Sequence, residues 1–401
     1  MLMVMAVQFV ALVLALPAFF FAAFLALETA LAVLAGRTRD ARRAPPGPLA
    51  VVIPAHNESA GLAATLENVK AQLREGDRLI VVADNCTDDT AAVARRHGAT
   101  CLERDDPARR GKGYALQFAL DALAGDPPDI VVFVDADCLL SDKALLTLAA
   151  SAAGEGRPVQ ALYLMQAPAD APPRLRVAEF AWLFMNRVRM IGLQRLFDVT
   201  RFTGAGLALP WASLSSINLA SGEIVEDIAL TFDLIRNGHA PRLETGAVVT
   251  SVFPQDETAQ VKQAARWSIG SLTYAARAGL PQLMRGIAGG RPRLIGAALD
   301  VMTPPLVLFV LYSLAALAAG ALAWMLGSAA PFALAASALA LIGASVAAGW
   351  ARFGREALPP SALAGVFRFV LMKFSVFGSK GRASARTWTP TRGGDQDDAA
   401  R

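Results

Sequence analysis

The chain has 401 residues, of which 54% are apolar and 18% are charged, and its formal net charge at pH 7 is +4. It is longer than one ordinary domain and too apolar to be soluble throughout, so the composition indicates a membrane protein. The positive charge lies beside the apolar segments and in the tail, where it suits anionic lipid headgroups, and no interleaving of basic and aromatic residues indicates a nucleic acid groove.

The first predicted element is an apolar helix within residues 1–36, where Glu28 is the only charged side chain. About 20 apolar residues suffice to cross a bilayer. No basic residue precedes this apolar run, and the run is too long for a cleaved secretion signal. We therefore expect a retained N-terminal membrane anchor, which is followed by the proline-rich linker ARRAPPGPLA.

Residues 37–258 are predicted to form one cytosolic α/β domain. Apolar runs that end in acidic or amide side chains, in AVVIPAHNES, RLIVVADNCTDDT and DIVVFVDAD, alternate with helical patterns near 61–73, after Thr87, at 113–123 and at 142–150. Strands that alternate with helices predict a mostly parallel sheet, and near-continuous apolar strands predict that both faces of the sheet are covered.

Polar side chains follow three successive predicted strands. Ligands of such sheets bind at the carboxyl ends of the strands. Each polar set alone is common in turns and helix caps, but three in succession indicate one site. The residues are His56, Asn57 and Glu58 after the first strand, Asp84 and Asn85 after the second, and Asp135 and Asp137 after the third.

The two aspartates after the third strand stand at positions i and i+2, so both can face one point at the rim of the sheet. Carboxylate oxygens in this arrangement suit Mg²⁺ or Mn²⁺, which also takes phosphate oxygens from a substrate. Lys112, at a glycine-flanked turn before a helix, either adds positive charge to the same phosphates or is a solvated surface lysine.

Two later segments carry further candidates, and each has a purely structural alternative. Glu226 and Asp227 stand at the start of an apolar helical pattern, where Asp227 is either a functional carboxylate or a helix cap. Gly204 and Gly206, in FTGAGLAL, either let the backbone approach a ligand closely or form an ordinary tight turn.

A predicted helix in QVKQAARWSIG places Gln263, Arg266 and Trp267 at i, i+3 and i+4, which is one helical face. The face either meets a ligand or lies at the membrane surface, with tryptophan in the headgroup belt and arginine reaching the water. We predict that residues 259–293 form interfacial amphipathic helices.

Residues 294–352 are predicted to hold two membrane spans joined by a tight turn, with Asp300 as the only charge ahead of the closing arginines. Arginines cluster after the first span, before the second and after the third, so the positive-inside rule places the α/β domain in the cytoplasm, at a bacterial inner membrane.

Residues 353–401 are predicted to hold a surface-lying helix or a third C-terminal span at 361–377, then a basic tail. The three cysteines form no CxxC pair and are expected to be free thiols.

The order of PAHNE, ADNCTDD, GKGYAL, DAD, TGAG, VEDIAL and QAARW resembles the membrane-embedded family 2 glycosyltransferases, the broad group that holds cellulose, chitin, hyaluronan and poly-N-acetylglucosamine synthases and lipid glycosyltransferases. The resemblance covers about residues 51–267. Each motif alone is weak, and their combination and order are specific. The resemblance implies a GT-A fold and an inverting transfer from a nucleotide sugar, usually a UDP-sugar, to a lipid or polysaccharide acceptor.

The resemblance also implies roles for individual residues. Asp137 would bind the metal directly and Asp135 would complete the D-x-D pair, while Asp227 of the ED pair with Glu226 would be the general base. His56 stands where many relatives have tyrosine, so stacking on the base is left open. The nucleoside would be held by Pro54, His56, Asn57, Glu58 and Asp84, the last accepting from the uracil ring.

On the acceptor side, the resemblance implies that Gln263 and Arg266 face the diphosphate and that Trp267 stacks under the acceptor sugar. Gly204 and Gly206 would let the backbone approach the acceptor. The tail segment TWTPTRGG is similar to a substrate-covering segment of some relatives, which makes Trp388 and Arg392 lid candidates.

Two rival functions come from other classes. A non-catalytic subunit could bind a nucleotide or sugar and regulate a separate synthase, but it would not need the carboxylate of Asp227. A nucleotidyltransferase could use the same nucleoside pocket, but the Q-x-x-R-W segment and the spans argue against it. Three spans are few for a polymer channel, which favours a lipid acceptor or a synthase with a partner subunit. The donor sugar and the linkage depend on pocket shape and are left open.

Overall fold

A computed structural model describes residues 1–35, 47–215, 217–221, 223, 225–254 and 256–376. Within these residues an α/β domain packs against a group of apolar helices. The strands of the domain are β1 (Leu49–Ala55), β2 (Arg78–Asp84), β3 (Thr100–Arg104), β4 (Ile130–Phe133), β5 (Leu139–Leu140), β6 (Val159–Gln166), β7 (Leu207–Pro210) and β8 (Arg242–Val252).

The helices of the α/β domain lie between and after these strands. They are α2 (Leu62–Lys70), α3 (Thr90–Arg96), α4 (Lys112–Leu123), α5 (Ala144–Glu155), α6 (Pro173–Leu183), α7 (Met190–Phe197), α8 (Trp211–Leu214), α9 (Glu226–Arg236) and α10 (Glu257–Tyr274), and the segment Phe184–Arg189 between α6 and α7 is a π-helical turn. The remaining helices are α1 (Leu2–Val33), α11 (Leu280–Ala288), α12 (Pro292–Met302), α13 (Leu306–Met325), α14 (Ala330–Gly349) and α15 (Gly365–Val376).

One mixed sheet joins all eight strands in the order β3-β2-β1-β4-β7-β6-β8-β5. The strands β3, β2, β1 and β4 run parallel, as do β6 and β8, whereas β7 and β5 pair antiparallel with their neighbours. The predicted strands β1, β2 and β4 are therefore neighbours, and their carboxyl ends meet at one edge of the sheet. Strand β3 and the antiparallel pairings of β5 and β7 were not predicted from the sequence.

Both faces of the sheet are covered, as the apolar strands predict. Alternate residues of β1 point to opposite sides: Val51 and Ile53 belong to a core that includes Leu62 and Leu66 of α2, while Ala50 and Val52 belong to a core that includes α4. Burying each leucine side chain contributes about 1.5–3 kcal/mol. These two cores fix the sheet edge that carries the polar residues.

Three helices are long and apolar enough to cross a membrane among the residues described: α1, α13 and the segment Ala330–Gly354 that contains α14. They pack on one another through small side chains, which allow close approach of helices in lipid. At Gly320 of α13, a Cβ atom would lie 2.7 Å from the Phe332 backbone of α14. The N-terminal span and two C-terminal spans predicted from composition are thus present as helices.

The predicted boundary of the second span is different in the structure. Residues 292–302 form the separate helix α12, because Pro304 and Pro305 interrupt the chain and the apolar helix α13 begins only at Leu306. Helix α15, in the segment where a further span was left open, covers 12 residues and packs against α6 and α10.

Helix α1 runs from the membrane helices into the α/β domain. Near its start, the Gln8 side chain donates to the Leu326 carbonyl at the turn between α13 and α14 (2.9 Å). Near its end, it packs against α7, where a Cβ atom on Gly192 would lie 2.2 Å from the Glu28 carbonyl oxygen. At 32 residues α1 is about 48 Å long, whereas a hydrocarbon core is about 30 Å thick. Its last turns therefore lie on the side of the α/β domain.

Candidate active site

The loops after β1 and β2 are tied to each other by side-chain hydrogen bonds. The His56 Nδ1 donates to the Asp84 carbonyl (2.7 Å), and the Asn57 Oδ1 accepts from the Thr87 backbone N–H (2.8 Å). Asn57 has a φ of 54°, a left-handed conformation that asparagine tolerates better than most residues. Asn57 was predicted to hold the donor. In the structure its side chain shapes the loop, and it does not line the cavity described below.

Asp84 ends β2 as a buried carboxylate with a fixed partner. Its Oδ1 accepts from the Arg104 Nη1 (2.6 Å) and from the Asn85 Nδ2 (2.9 Å). Arg104 stands directly beside Asp84 in the parallel register of β2 and β3, and its guanidinium lies 5.5 Å from the Tyr114 ring centroid. Arg104 was not predicted as a site residue, because nothing in its own segment indicates a partner 20 residues earlier. This ion pair leaves the Asp84 Oδ2 without a hydrogen-bond partner among the residues described.

Asp135 and Asp137 follow β4, and their carboxylate oxygens and the Cys138 thiol all lie within 4.8 Å of one another. Asp137 Oδ2 accepts from the Ser251 Oγ (3.0 Å). Burial raises the pKa of Cys138 well above its ordinary value, so the thiol stays protonated. The cluster therefore offers two carboxylates as ligands. Oxygen ligands of this kind fit Mg²⁺ or Mn²⁺.

Lys112, the first residue of α4, joins this carboxylate pair to the TGAG turn. Its Nζ bonds to Asp135 and donates to the Gly204 carbonyl (2.9 Å). Burial disfavours the ammonium ion, but the Asp135 and Glu226 carboxylates outweigh burial and raise the pKa of Lys112. Lys112 is therefore not a solvated surface lysine.

The two glycines of the TGAG segment have different surroundings. Gly204, with a φ of 96°, lines the cavity beside Lys112 and Asp135. Gly206, with a φ of 73°, was predicted to face the acceptor, and here the structure differs. A Cβ atom on Gly206 would lie 2.7 Å from Ala161 Cβ and from Val249 Cγ2, so this glycine permits close packing of the sheet and does not line the cavity.

Glu226 and Asp227 are the first two residues of α9 and face the cavity. The N-cap residue of α9 is Val225, and Asp227 lies in the first turn, where its Oδ1 accepts from the Ile228 backbone N–H (2.8 Å). Burial, and then the charge of Asp227, raises the pKa of Glu226 to about 7. Burial also raises the pKa of Asp227, against the opposing charges of Lys112 and Arg201.

Gln263, Arg266 and Trp267 of α10 lie on one face, and that face lines the same cavity. The Trp267 ring lies 4.7 Å from that of Trp182 on α6, and the Trp182 ring packs edge-on against Tyr163 at 5.5 Å. The three predicted residues thus line this cavity. Trp182 was missed, since α6 shows no motif of its own.

Most of the predicted site residues line one cavity of about 480 Å³. It contains His56, Glu58 and Asp84 of the strand ends, then Lys112, the D-x-D pair and Asp227. The same cavity reaches the start of the membrane helix α13 at Leu306 and the helix α15 at Phe369. The arrangement can hold a nucleoside diphosphate at the sheet edge, offer the half-buried carboxylate of Asp227 as a base, and admit a second substrate from the membrane side.

The remaining predicted residues are Pro54, which lines the cavity, and the lid candidates Trp388 and Arg392, which lie outside the residues described. The three cysteines are free thiols.

Comparison with known proteins gives the following matches. The family model described as glycosyltransferase like family 2 matches residues 45–270. The low-salt glycan biosynthesis hexosyltransferase Agl6 of Haloferax volcanii is 39% identical over 94 residues, which are 22% of this chain and 21% of that protein. An uncharacterized glycosyltransferase of Mycobacterium tuberculosis is 41% identical over 87 residues, which are 22% of this chain and 35% of that protein. The matched region thus spans only about a fifth to a third of these relatives.

Among solved structures, the mannosyltransferase PcManGT from Pyrobaculum calidifontis, in complex with GDP-Man and Mn²⁺, is similar with a TM-score of 0.54 and 18% sequence identity. The similarity covers 86% of this chain and 98% of that one, so it includes helices outside the α/β domain. At this identity the likeness shows a shared fold.

Proposed function

The chain belongs to the glycosyltransferase like family 2, and from this premise we propose that it transfers a sugar from a nucleotide donor to a lipid or glycan acceptor at the cytoplasmic face of a membrane. The observation that carries the proposal is the single cavity, which joins the carboxyl ends of β1, β2 and β4 to Asp227 and to the start of α13. The chain has the GT-A type of α/β fold and is a glycosyltransferase, as the family match and the named relatives show.

The donor binds at the sheet edge in this proposal. Asp84, held by Arg104, accepts a hydrogen bond from the base, and Lys112 faces the diphosphate. Asp135 and Asp137 hold Mg²⁺ or Mn²⁺, which offsets the charge of the diphosphate when bound. A UDP-sugar is the class that the motifs favour, and GDP-mannose, the ligand of the similar mannosyltransferase, is the next donor to test.

Asp227 is the general base in this proposal. It takes the proton of the acceptor hydroxyl while that oxygen attacks the anomeric carbon on the face opposite to the diphosphate, so the configuration inverts. Burial makes Asp227 a stronger base than an exposed aspartate, because it raises the pKa of the carboxyl. Gln263 and Arg266 contact the diphosphate, and Trp267, packed on Trp182, gives the acceptor sugar an aromatic surface.

The test is nucleotide release by the detergent-purified chain across a panel of UDP- and GDP-sugars, with lipid extract and Mn²⁺. We expect one donor to turn over, Asp137→Asn to abolish metal-dependent release, and Asp227→Asn to lower kcat about 10²–10⁴-fold while nucleotide binding persists. The matched control is Asp170→Asn, an exposed aspartate far from the D-x-D pair in sequence, which should keep full activity. If Asp227→Asn retained wild-type turnover, Asp227 would not be the base.

A further inference from the structure

A chain of buried charges connects α1 to the cavity. The side chains of Glu28 on α1, Arg189 in the π-helical turn and Asp300 on α12 are 0%, 2% and 1% exposed. Arg189 Nε donates to Glu28 Oε2 (3.0 Å), and its Nη2 donates to Asp300 Oδ1 (2.8 Å). Asp300 Oδ2 accepts from Arg201 Nη1 (2.6 Å). Buried charges survive in proteins only when they are paired in this way.

Arg189, Asp300 and Arg201 all line the cavity, and Arg201 is the most exposed of them. Its side chain is 14% exposed, and it lines the cavity that contains Asp227. Among the residues described, Asp300 is its hydrogen-bond partner, and that bond uses one of the five N–H groups of the guanidinium. The remaining donors have no recorded acceptor in the described part of the protein. An arginine with one side fixed and the other open suits an oxyanion, which it binds through two parallel bonds.

The N–H groups of Arg201 that are unpaired among the described residues lie at the end of the cavity nearest to the start of α13, where the acceptor is proposed to enter. Asp300 stands six residues before Leu306, where the membrane helix α13 begins, and both residues line the cavity. Arg201 is also close enough to Asp227 for its charge to oppose the rise in the pKa of that carboxyl. Arg201 is thus near the base on one side and near the membrane helices on the other.

A second cation lines the same cavity from α15. Lys373 is half-buried, and its ammonium lies 5.4 Å from the Phe369 ring centroid. Among the residues described, it has no carboxylate or hydrogen-bond partner. Burial lowers the pKa of Lys373 to about 8, as expected for an ammonium without a counter-charge. The membrane side of the cavity therefore holds a positive charge that the described residues do not balance.

We propose that the membrane side of the cavity is a subsite for the phosphate group of an amphipathic acceptor, with Arg201 as its ligand and Asp300 as the residue that positions Arg201. This inference rests on the proposed transfer reaction and narrows its acceptor from a lipid or glycan to a phosphate-bearing lipid. Lys373 supplies the second positive charge. The same chemistry could instead serve the diphosphate of the donor, so the test separates the two sources.

The test measures binding of dodecyl phosphate and of dodecanol to the full chain in nonionic micelles, followed by the fluorescence of the cavity tryptophans. We expect dodecyl phosphate to bind more tightly than dodecanol, and Arg201→Gln to weaken dodecyl phosphate about tenfold to a hundredfold without affecting dodecanol. Arg195→Gln, which removes an exposed arginine of α7, is the matched control and should change neither. Lys373→Gln should weaken dodecyl phosphate by a smaller factor.

UDP binding with Mn²⁺ separates the two sources of phosphate. We expect Arg201→Gln to leave UDP binding intact, which also shows that the variant is folded. If UDP binding weakens and dodecyl phosphate binding does not, the open side of Arg201 serves the donor and the acceptor assignment is wrong. If neither ligand is affected, Arg201 acts only on Asp227, and the proposal also fails.

Asp300 is tested as a positioning residue by the pair Asp300→Asn and Asp300→Glu. We expect Asp300→Asn to weaken dodecyl phosphate binding as Arg201→Gln does while UDP binding with Mn²⁺ is unchanged, and Asp300→Glu to restore part of the loss. Asp300 also pairs with the buried Arg189, so a purely structural role would instead weaken the binding of both ligands. Because binding needs no turnover, a chain that binds dodecyl phosphate selectively but transfers no sugar would refute the proposed function and keep the subsite. A chain that transfers sugar to neutral acceptors and binds dodecyl phosphate no better than dodecanol would support the proposed function and refute the phosphate subsite.

Discussion

Glu226 and Asp227 are adjacent, half-buried carboxylates that line one cavity, and two such charges ionise together only at a cost. Burial raises the pKa of both, and the charge of Asp227 raises the pKa of Glu226 further, to about 7. The pair therefore titrates as a unit, and its last proton leaves near neutral pH. A general base whose pKa is near neutral is largely deprotonated at neutral pH and still accepts a proton readily.

We expect the rate of sugar transfer to fall on the acid side of about pH 7, because a proton shared by the pair blocks Asp227 as a base. Glu226→Gln removes the competing carboxylate, so Asp227 ionises more readily and the acid limb moves to lower pH. Profiles of kcat/KM from about pH 5.5 to about pH 8.5 measure this shift. Asp170→Asn should leave the limb in place. If Glu226→Gln leaves the acid limb of the kcat/KM profile at the same pH, that limb reports the ionisation of another group.

The sequence predicts individual site residues where a local pattern exists and misses them where the partner is distant. Asp84, Asp135 and Asp137 end apolar strands, and the order of strands and helices brings such ends to one edge. Arg104 and Arg201 have no local pattern. The guanidinium of Arg201 is held by Asp300, which is 99 residues later in the chain. The pair forms only because α12 packs beside Arg201.

At the scale of elements, the contact between α1 and α7 holds the membrane anchor against the α/β domain. Gly192 of α7 allows the backbones to approach so closely that a Cβ atom there would lie 2.2 Å from the Glu28 carbonyl oxygen. Backbone atoms cannot move aside as a flexible side chain can, so any larger residue must separate the helices. Separation also pulls Glu28 away from Arg189, whose charge would then be buried without a full partner.

We therefore expect Gly192→Ala to destabilise the protein by about 1–3 kcal/mol, as overpacking does in well-packed interiors. The matched control is Gly343→Ala on α14, since Gly343 is also a helical glycine but has open space around its Cβ position. Alanine favours helix by about 1 kcal/mol over glycine, so the control should be neutral or stabilising. Thermal unfolding in detergent compares the two variants. Equal unfolding temperatures for Gly192→Ala and Gly343→Ala would show that α1 and α7 can separate without loss of stability.

The sequence predicts the type of a secondary-structure element better than the residues at which it begins and ends. The long apolar runs identify α1, α13 and α14 because their composition exceeds what a soluble helix needs. The start of α13 was misplaced, because α12 continues the same apolar composition and only Pro304 and Pro305 separate the two helices. Apolar content does not reveal that α12 presents Asp300 to a buried ion network.

At the scale of the whole molecule, the contacts of α1 set the orientation of the apolar helices relative to the α/β domain. The start of α1 meets the turn between α13 and α14, and its end meets α7. The turn and the α/β domain are therefore at opposite ends of the helix group. The exposed arginines Arg285, Arg291, Arg293, Arg352 and Arg355 lie outside the apolar cores of α13 and α14, in the segments that flank these spans.

The positive-inside rule then predicts that the turn between α13 and α14 is outside the cell and that the α/β domain is inside. Ala329→Cys tests this, because Ala329 is exposed in that turn, while the native Cys86 and Cys101 are half-exposed in the α/β domain. We expect a membrane-impermeant maleimide added to intact bacterial spheroplasts to label Ala329→Cys and to leave the unsubstituted chain unlabelled. Permeabilisation should then expose the native cysteines. Labelling of the unsubstituted chain in sealed spheroplasts would place the α/β domain outside, where nucleotide sugars made in the cytoplasm could not reach Asp135 and Asp137.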